Sequence, residues 1–135
     1  MARITLFRHA KAETPAIQKS DFDRVLSNRG RHNADRIGRF IARNNLLPDM
    51  VIVSPAARTR ETHELASVHW PDIPVIYRDS IYEASATNIL AAIESLAGDA
   101  ERVMVIGHNP GLAVLLGNLV AVSYTHLRAH ETVSD

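Results

Sequence analysis

The sequence predicts an α/β fold, a three-layer α/β/α sandwich around a mostly parallel central sheet, and three observations carry that expectation. Short apolar runs rich in β-branched residues recur without the alternation expected of half-exposed strands. Segments of helical periodicity separate them, and each run gives way to polar residues capable of binding or chemistry.

Taken in order, Ile4 to Phe7 reads as the first strand, and the polar stretch from Lys11 to Ser20 as a surface loop. Ala34, Ile37, Phe40 and Ile41 recur at helical spacing and lead to a second strand, Met50 to Val53. Ser54 can cap a following helix with Pro55 in its first position. Pro74 to Tyr77 is the third strand, and Ile89, Leu90, Ile93 and Leu96 mark a helix that stops at Gly98, a C-cap residue. Arg102 to Ile106 is the fourth strand, after which Asn109 can cap a helix with Pro110 in its first position. An apolar helix then runs from Leu112 to Val122. The domain is expected to span residues 1–122. Residues 123–135 are polar, do not read as a closing strand, and resemble the peptide encoded by a translated sequencing adapter, so an artefactual or disordered tail is expected there.

A length of 135 residues with 46% hydrophobic content suits one compact domain. Fifteen basic and fifteen acidic residues balance to zero net charge, spread along the chain, so no basic stripe recommends nucleic acid or an anionic membrane as a partner. Any anion must be bound locally. The absence of cysteine excludes a thiol nucleophile, a disulfide framework and thiolate metal sites. With no secretory leader pattern and no membrane-length apolar run, the expected location is the cytoplasm.

Ligands of open α/β sheets bind beyond the carboxyl ends of parallel strands. Those positions hold Arg8-His9, Ser54-Pro55-Ala56-Ala57-Arg58, Tyr82-Glu83 and Gly107-His108-Asn109-Pro110-Gly111. Two helix starts with Arg8 and Arg58 would suit a dianion such as phosphate, since a guanidinium fork can hold two phosphoryl oxygens and stays charged when partly buried. Beside such a site a neutral imidazole can attack phosphorus, which makes His9 the candidate nucleophile, with His108 a hydrogen-bond donor to the phosphoryl group. Glu83 is either the group that protonates a leaving alkoxide or a helix-start carboxylate. Lys11 and Asn109 are candidate substrate contacts at the pocket mouth, although a solvated loop lysine fits Lys11 equally well, and Arg24 carries the same ambiguity.

In that order, Leu6-Phe7-Arg8-His9-Ala10-Lys11-Ala12, Ser54-Pro55-Ala56-Ala57-Arg58-Thr59 and Gly107-His108-Asn109-Pro110-Gly111 resemble the histidine phosphatase superfamily, phosphoglycerate-mutase-like in fold, and within it the short phosphohistidine phosphatases. Asp23-Arg24-Val25-Leu26 followed by Gly30 is similar to the family's segment after the first loop. The resemblance implies His9 as the phosphorylated nucleophile, Arg8, Arg58 and His108 as the phosphate pocket, and no metal or cofactor. It further implies, as substrate, a phosphohistidine-bearing protein such as a phosphotransfer domain, or a small phosphorylated metabolite. Members of the family continue beyond the point where this chain ends, so strands completing the sheet are expected to be missing.

Other readings compete. A phosphatase of small phosphomonoesters would share the pocket, and a non-catalytic module could use it to hold a phosphorylated partner. A mutase needs contacts to a second phosphate, for which short loops leave few basic residues. Asp21-Phe22-Asp23 lacks the preceding apolar strand that an aspartate-nucleophile phosphatase requires. His126 and His130 have a helical metal-ligand spacing but fall in the tail.

Overall fold

In the computed structural model of the chain, residues 3–15, 20–123 and 129–132 are described. Residues 16–19 of the expected surface loop, and His126, lie outside that set. The apolar runs form strands because β-branched side chains suit an extended backbone packed on both faces. They are β1 (Arg3–Arg8), β2 (Met50–Val53), β3 (Val75–Tyr77) and β4 (Arg102–Gly107). Pro74 stands just before β3, where its carbonyl accepts from Val51 N–H at 2.9 Å. The helices are α1 (Asn28–Arg43), α2 (Ala57–Ser67), α3 (Ala86–Leu96) and α4 (Gly111–Ser123).

All strand pairs are parallel, and the sheet order is β3-β2-β4-β1-β5, where β5 is Ala129–Thr132. This last strand corrects the expectation that the tail offers none: its backbone pairs with β1 from Ile4↔Ala129 to Phe7↔Thr132. The outer edge of β1 presents N–H and C=O groups that any extended segment can satisfy, and main-chain pairing does not require an apolar pattern.

Alternation along the strands sends side chains to two cores. Ile4, Leu6, Ile52, Val103 and Val105 pack with Ile89 and Ile93 of α3 and Leu112 and Leu115 of α4. On the other face Phe7, Val51, Val53, Met104 and Ile106 pack with Ile41 of α1, Ala66 of α2 and Trp70. Phe40, expected on the buried stripe of α1, is 55% exposed. Gly38 faces α2 instead, where a Cβ would run into the Ala66 backbone. Among the described residues no helix is long and apolar enough to cross a membrane.

Local chemistry sets the helix ends. Ser27 Oγ accepts from Gly30 N–H at 3.0 Å to start α1. Gly98, just past α3, has φ +52°, the left-handed conformation that glycine adopts without penalty. Asn109 Oδ1 accepts from Ala113 N–H at 3.1 Å, so Asn109 holds the start of α4 as expected, with Pro110 outside the helix rather than in its first turn. Ser54 does not cap α2. That helix starts at Ala57 with no side-chain cap, and the Ser54 hydroxyl is turned toward His108.

Candidate active site

Sheet order decides what meets at the carboxyl edge. Because β4 lies between β2 and β1, His108 is placed between Ser54 and His9, each the first residue beyond its strand. His9 N–H donates to Gly107 O at 3.1 Å and Ser54 N–H to Ile106 O at 3.0 Å, which continues the ladder by one residue on both sides of β4. The His9 and His108 ring centroids are consequently 5.3 Å apart, close to the spacing of neighbouring strands.

His9 is oriented by its own turn and by α2. Its Nδ1 lies 2.6 Å from Ala10 O, which can only accept, so Nδ1 carries the proton and Nε2 keeps the lone pair. Arg58 Nε–H donates to that Nε2 at 3.3 Å. The turn is locked to α2 because Ala10 N–H donates to Thr62 Oγ1 at 3.1 Å, and that hydroxyl in turn donates to Arg58 O at 2.7 Å. Burial lowers the His9 pKa to about 4; the Arg58 and Arg8 charges add to this and the Ala10 hydrogen bond opposes it. The ring is therefore neutral at physiological pH.

Arg58, 4% exposed, is held at its far end by Asp21: Nη1 donates to the Asp21 carbonyl at 2.7 Å and Nη2 to Oδ2 at 3.0 Å. Tyr82 donates to the same oxygen at 2.6 Å and Arg24 Nη2 to Oδ1 at 2.9 Å. The Tyr82 hydroxyl, with Arg24 and Arg58, holds the Asp21 carboxyl well below its usual range. Burial and the Asp21 and Glu83 carboxylates push the Tyr82 phenol up. His108 Nε2 meets Ser54 Oγ at 2.8 Å, and Nδ1 is buried without a hydrogen-bond partner. Burial, reinforced by the Arg58 charge, brings His108 to about 3.

Of the sequence-predicted residues, Arg8, His9, Lys11, Arg58, His108 and Asn109 line one cavity of about 550 Å³. Glu83 does not line it. It is exposed, in left-handed backbone at φ +50°, and lines an adjoining cavity of about 680 Å³ that shares Arg58, His108 and Asn109 with the first. Among the described residues no group of three or more His, Cys, Asp or Glu is arranged to hold a metal ion.

Sequence reasoning named Tyr82 and Asp21 without the roles they take around Arg58, missed the Ser54 contact, and left Arg24 open. It also expected few basic residues beyond the phosphate pocket, whereas Arg24 and Arg29 line the His9 cavity with Lys11. The loop after β1 brings them in. Lys11 O accepts from Ser27 N–H at 2.9 Å and from Ser27 Oγ at 3.1 Å, and a Cβ at Gly30 would collide with the Lys11 carbonyl. The family-like run Asp23-Arg24-Val25-Leu26 was the available signal for Arg24; Tyr82 was marked only by its place beside Glu83 and Asp21 only as a rejected nucleophile, and nothing local marked Arg29.

Residues 4–89 match the family model of the histidine phosphatase superfamily, branch 1. A candidate phosphohistidine phosphatase, SixA, from Agrobacterium tumefaciens superposes with a TM-score of 0.80 at 33% identity, over 85% of this chain and 74% of the other. A second candidate SixA, from Nakamurella multipartitia, gives 0.73 at 32% identity, over 87% and 69%. An uncharacterized protein of Mycobacterium tuberculosis is 29% identical over 128 residues, 95% of this chain and 78% of its own length.

Proposed function

The chain belongs to the histidine phosphatase superfamily, and from that premise we propose that it removes phosphoryl groups from protein phosphohistidine through a covalent phosphohistidine on His9. The carrying observation is the His9 tautomer: with Nδ1–H given to Ala10 O, the Nε2 lone pair is the nitrogen beside Arg58 and is unprotonated at neutral pH.

The Nε2 lone pair forms a bond to phosphorus as the bond to the leaving group breaks; a substrate phosphohistidine already protonated on its other ring nitrogen departs as neutral imidazole, whereas an ester oxygen would take its proton from Glu83. Arg58 Nε–H passes from Nε2 to a phosphoryl oxygen as the attack proceeds. Arg8 stabilises the equatorial oxygens, and His108, which lines the same cavity, supplies a further hydrogen bond. Water then attacks phosphorus, releases inorganic phosphate and restores the neutral imidazole. An imidazole leaving group is far less basic than an alkoxide, so a phosphoramidate makes a smaller demand on a general acid. Lys11, Arg29 and Asn109 are exposed at the mouth of the cavity, which suits a phosphoryl group presented by a protein surface. The likeness to candidate phosphohistidine phosphatases at 32% and 33% identity favours the same substrate class.

The test is phosphate release from a histidine-phosphorylated phosphotransfer domain by this chain and by His9→Ala, with EDTA throughout. Turnover by the native chain and its loss in the variant is the expected result. A folded native chain that hydrolyses phosphate esters but leaves the phosphoprotein intact would overturn the substrate assignment.

A further inference from the structure

We propose that the His9 cavity contains a second anion subsite, formed by Lys11, Arg24 and Arg29, which takes a second negatively charged group of the substrate beside the phosphoryl group being transferred. The proposal rests on the phosphatase reading of the same cavity and narrows its substrate class.

Charge in the cavity exceeds what one phosphoryl group needs. Among the described residues five cationic side chains line it, Arg8, Lys11, Arg24, Arg29 and Arg58, and no carboxylate does. With Arg8 and Arg58 left to the phosphoryl group, Lys11, Arg24 and Arg29 remain, and the Asp21 carboxylate pairs with Arg24 at 2.9 Å. Arg24 Nη1 and Nη2 are engaged by Glu13 O and Asp21, but its Nε is buried with no hydrogen-bond partner. A buried guanidinium N–H left without an acceptor carries a substantial desolvation cost, which a turn of the side chain toward a bound oxygen would remove. Among the described residues neither Lys11 nor Arg29 has an ion-pair partner.

Position separates the two groups. Arg58 and His108 border both cavities, whereas Lys11, Arg24 and Arg29 border only the basic one, and Glu83 and Asp21 only the other. An anionic part of the substrate is therefore drawn to the Arg24 side, and a neutral leaving group such as imidazole fits the Glu83 side, whose lining also includes Ala84, Pro110 and Val114.

Titration calorimetry of the full chain with inorganic phosphate and with tripolyphosphate tests the subsite without requiring turnover. Tripolyphosphate should bind at least about tenfold more tightly, and Arg29→Gln should cut that advantage by about two- to fivefold, the worth of one exposed ion pair. Arg43→Gln, exposed at the far end of α1, should leave it intact. Equal affinities for the two anions, or an advantage lost equally in both variants, would overturn the proposal.

Matched phosphohistidine peptides with Glu or Gln beside the phosphohistidine identify the source of the second charge. A higher kcat/KM for the Glu peptide, with the preference reduced in Arg29→Gln, assigns it to acidic side chains. Equal kcat/KM for the two peptides alongside an Arg29-dependent tripolyphosphate advantage assigns it to a second phosphoryl group of a small substrate. If neither peptide is hydrolysed while that advantage holds, the phosphohistidine assignment fails and the subsite stands.

Discussion

Arg58 touches His9 and Asp21 at once, its Nε–H on His9 Nε2 at 3.3 Å and its Nη2 on the Asp21 carboxylate at 3.0 Å. The guanidinium is thus aimed by a residue that contributes no atom to the His9 cavity. Arg58→Lys supplies charge but neither the Nε donor nor the planar fork, and should lower kcat/KM by at least about a hundredfold, as loss of a transition-state donor does. Steady-state kinetics checks this, and trapping of phosphorylated enzyme reports whether formation of the intermediate is the slowed step.

Asp21 acts through Arg58 and is a positioning residue. Removing the carboxylate in Asp21→Ala should cost roughly 1.5–3 kcal/mol of charge-assisted hydrogen bonding, about ten- to a hundredfold in kcat, while Asp21→Asn, which keeps an acceptor, should recover part of it. A purely structural role would lower the folded fraction of both variants and leave kcat per folded molecule unchanged.

Substitution of Glu83 tests whether the adjoining cavity handles the leaving group. If Glu83 protonates an alkoxide, Glu83→Gln should slow phosphate ester hydrolysis by about a hundredfold or more and change phosphoramidate hydrolysis by only a fewfold. Parallel assays on p-nitrophenyl phosphate, an alkyl phosphate and phosphoramidate separate these cases.

Acid should destabilise the fold before it titrates the folded His9. The His9 and His108 pKa values are lowered to about 4 and about 3, and burial lowers His63 as well, so between those values and 6.5 the unfolded chain binds more protons than the folded one. Stability therefore falls as pH drops through that window, by roughly 2–4 kcal/mol between pH 7 and pH 5. Urea denaturation at the two pH values measures it. Over the same range kcat/KM of the folded enzyme should show no acid limb from His9, whose limb lies near pH 4.

Gly30→Ala should destabilise despite the better helix propensity of alanine, worth about 1 kcal/mol. The added Cβ would collide with the Lys11 carbonyl, and moving that backbone should cost about 1–3 kcal/mol beyond the propensity gain. Because the same loop carries Lys11 beside Arg24, KM should rise along with the lower thermal midpoint.

Local pattern made most of the fold legible. Met50–Val53 matches its strand residue for residue, and the helix ending before Gly98 stops as its C-cap predicts. Burial and backbone preference act over a few residues, so four strands, four helices and the reactive residues following the strands could be read in order. The meeting of Arg8, His9, Arg58 and His108 was legible for the same reason, since a parallel sheet collects whatever follows its strands on one edge. Strand order, the β5 pairing, the hold of Asp21 on Arg58 across 37 residues of chain and the convergence of Arg24 and Arg29 on Lys11 were not. Those depend on the course of the loop between β1 and α1 and on main-chain groups that look alike in every residue. The sequence by itself determined which side chains could perform the chemistry; the tertiary structure decided which nitrogen of His9 faces Arg58, because only the folded turn brings the Ala10 carbonyl to Nδ1 and the Arg58 guanidinium to Nε2.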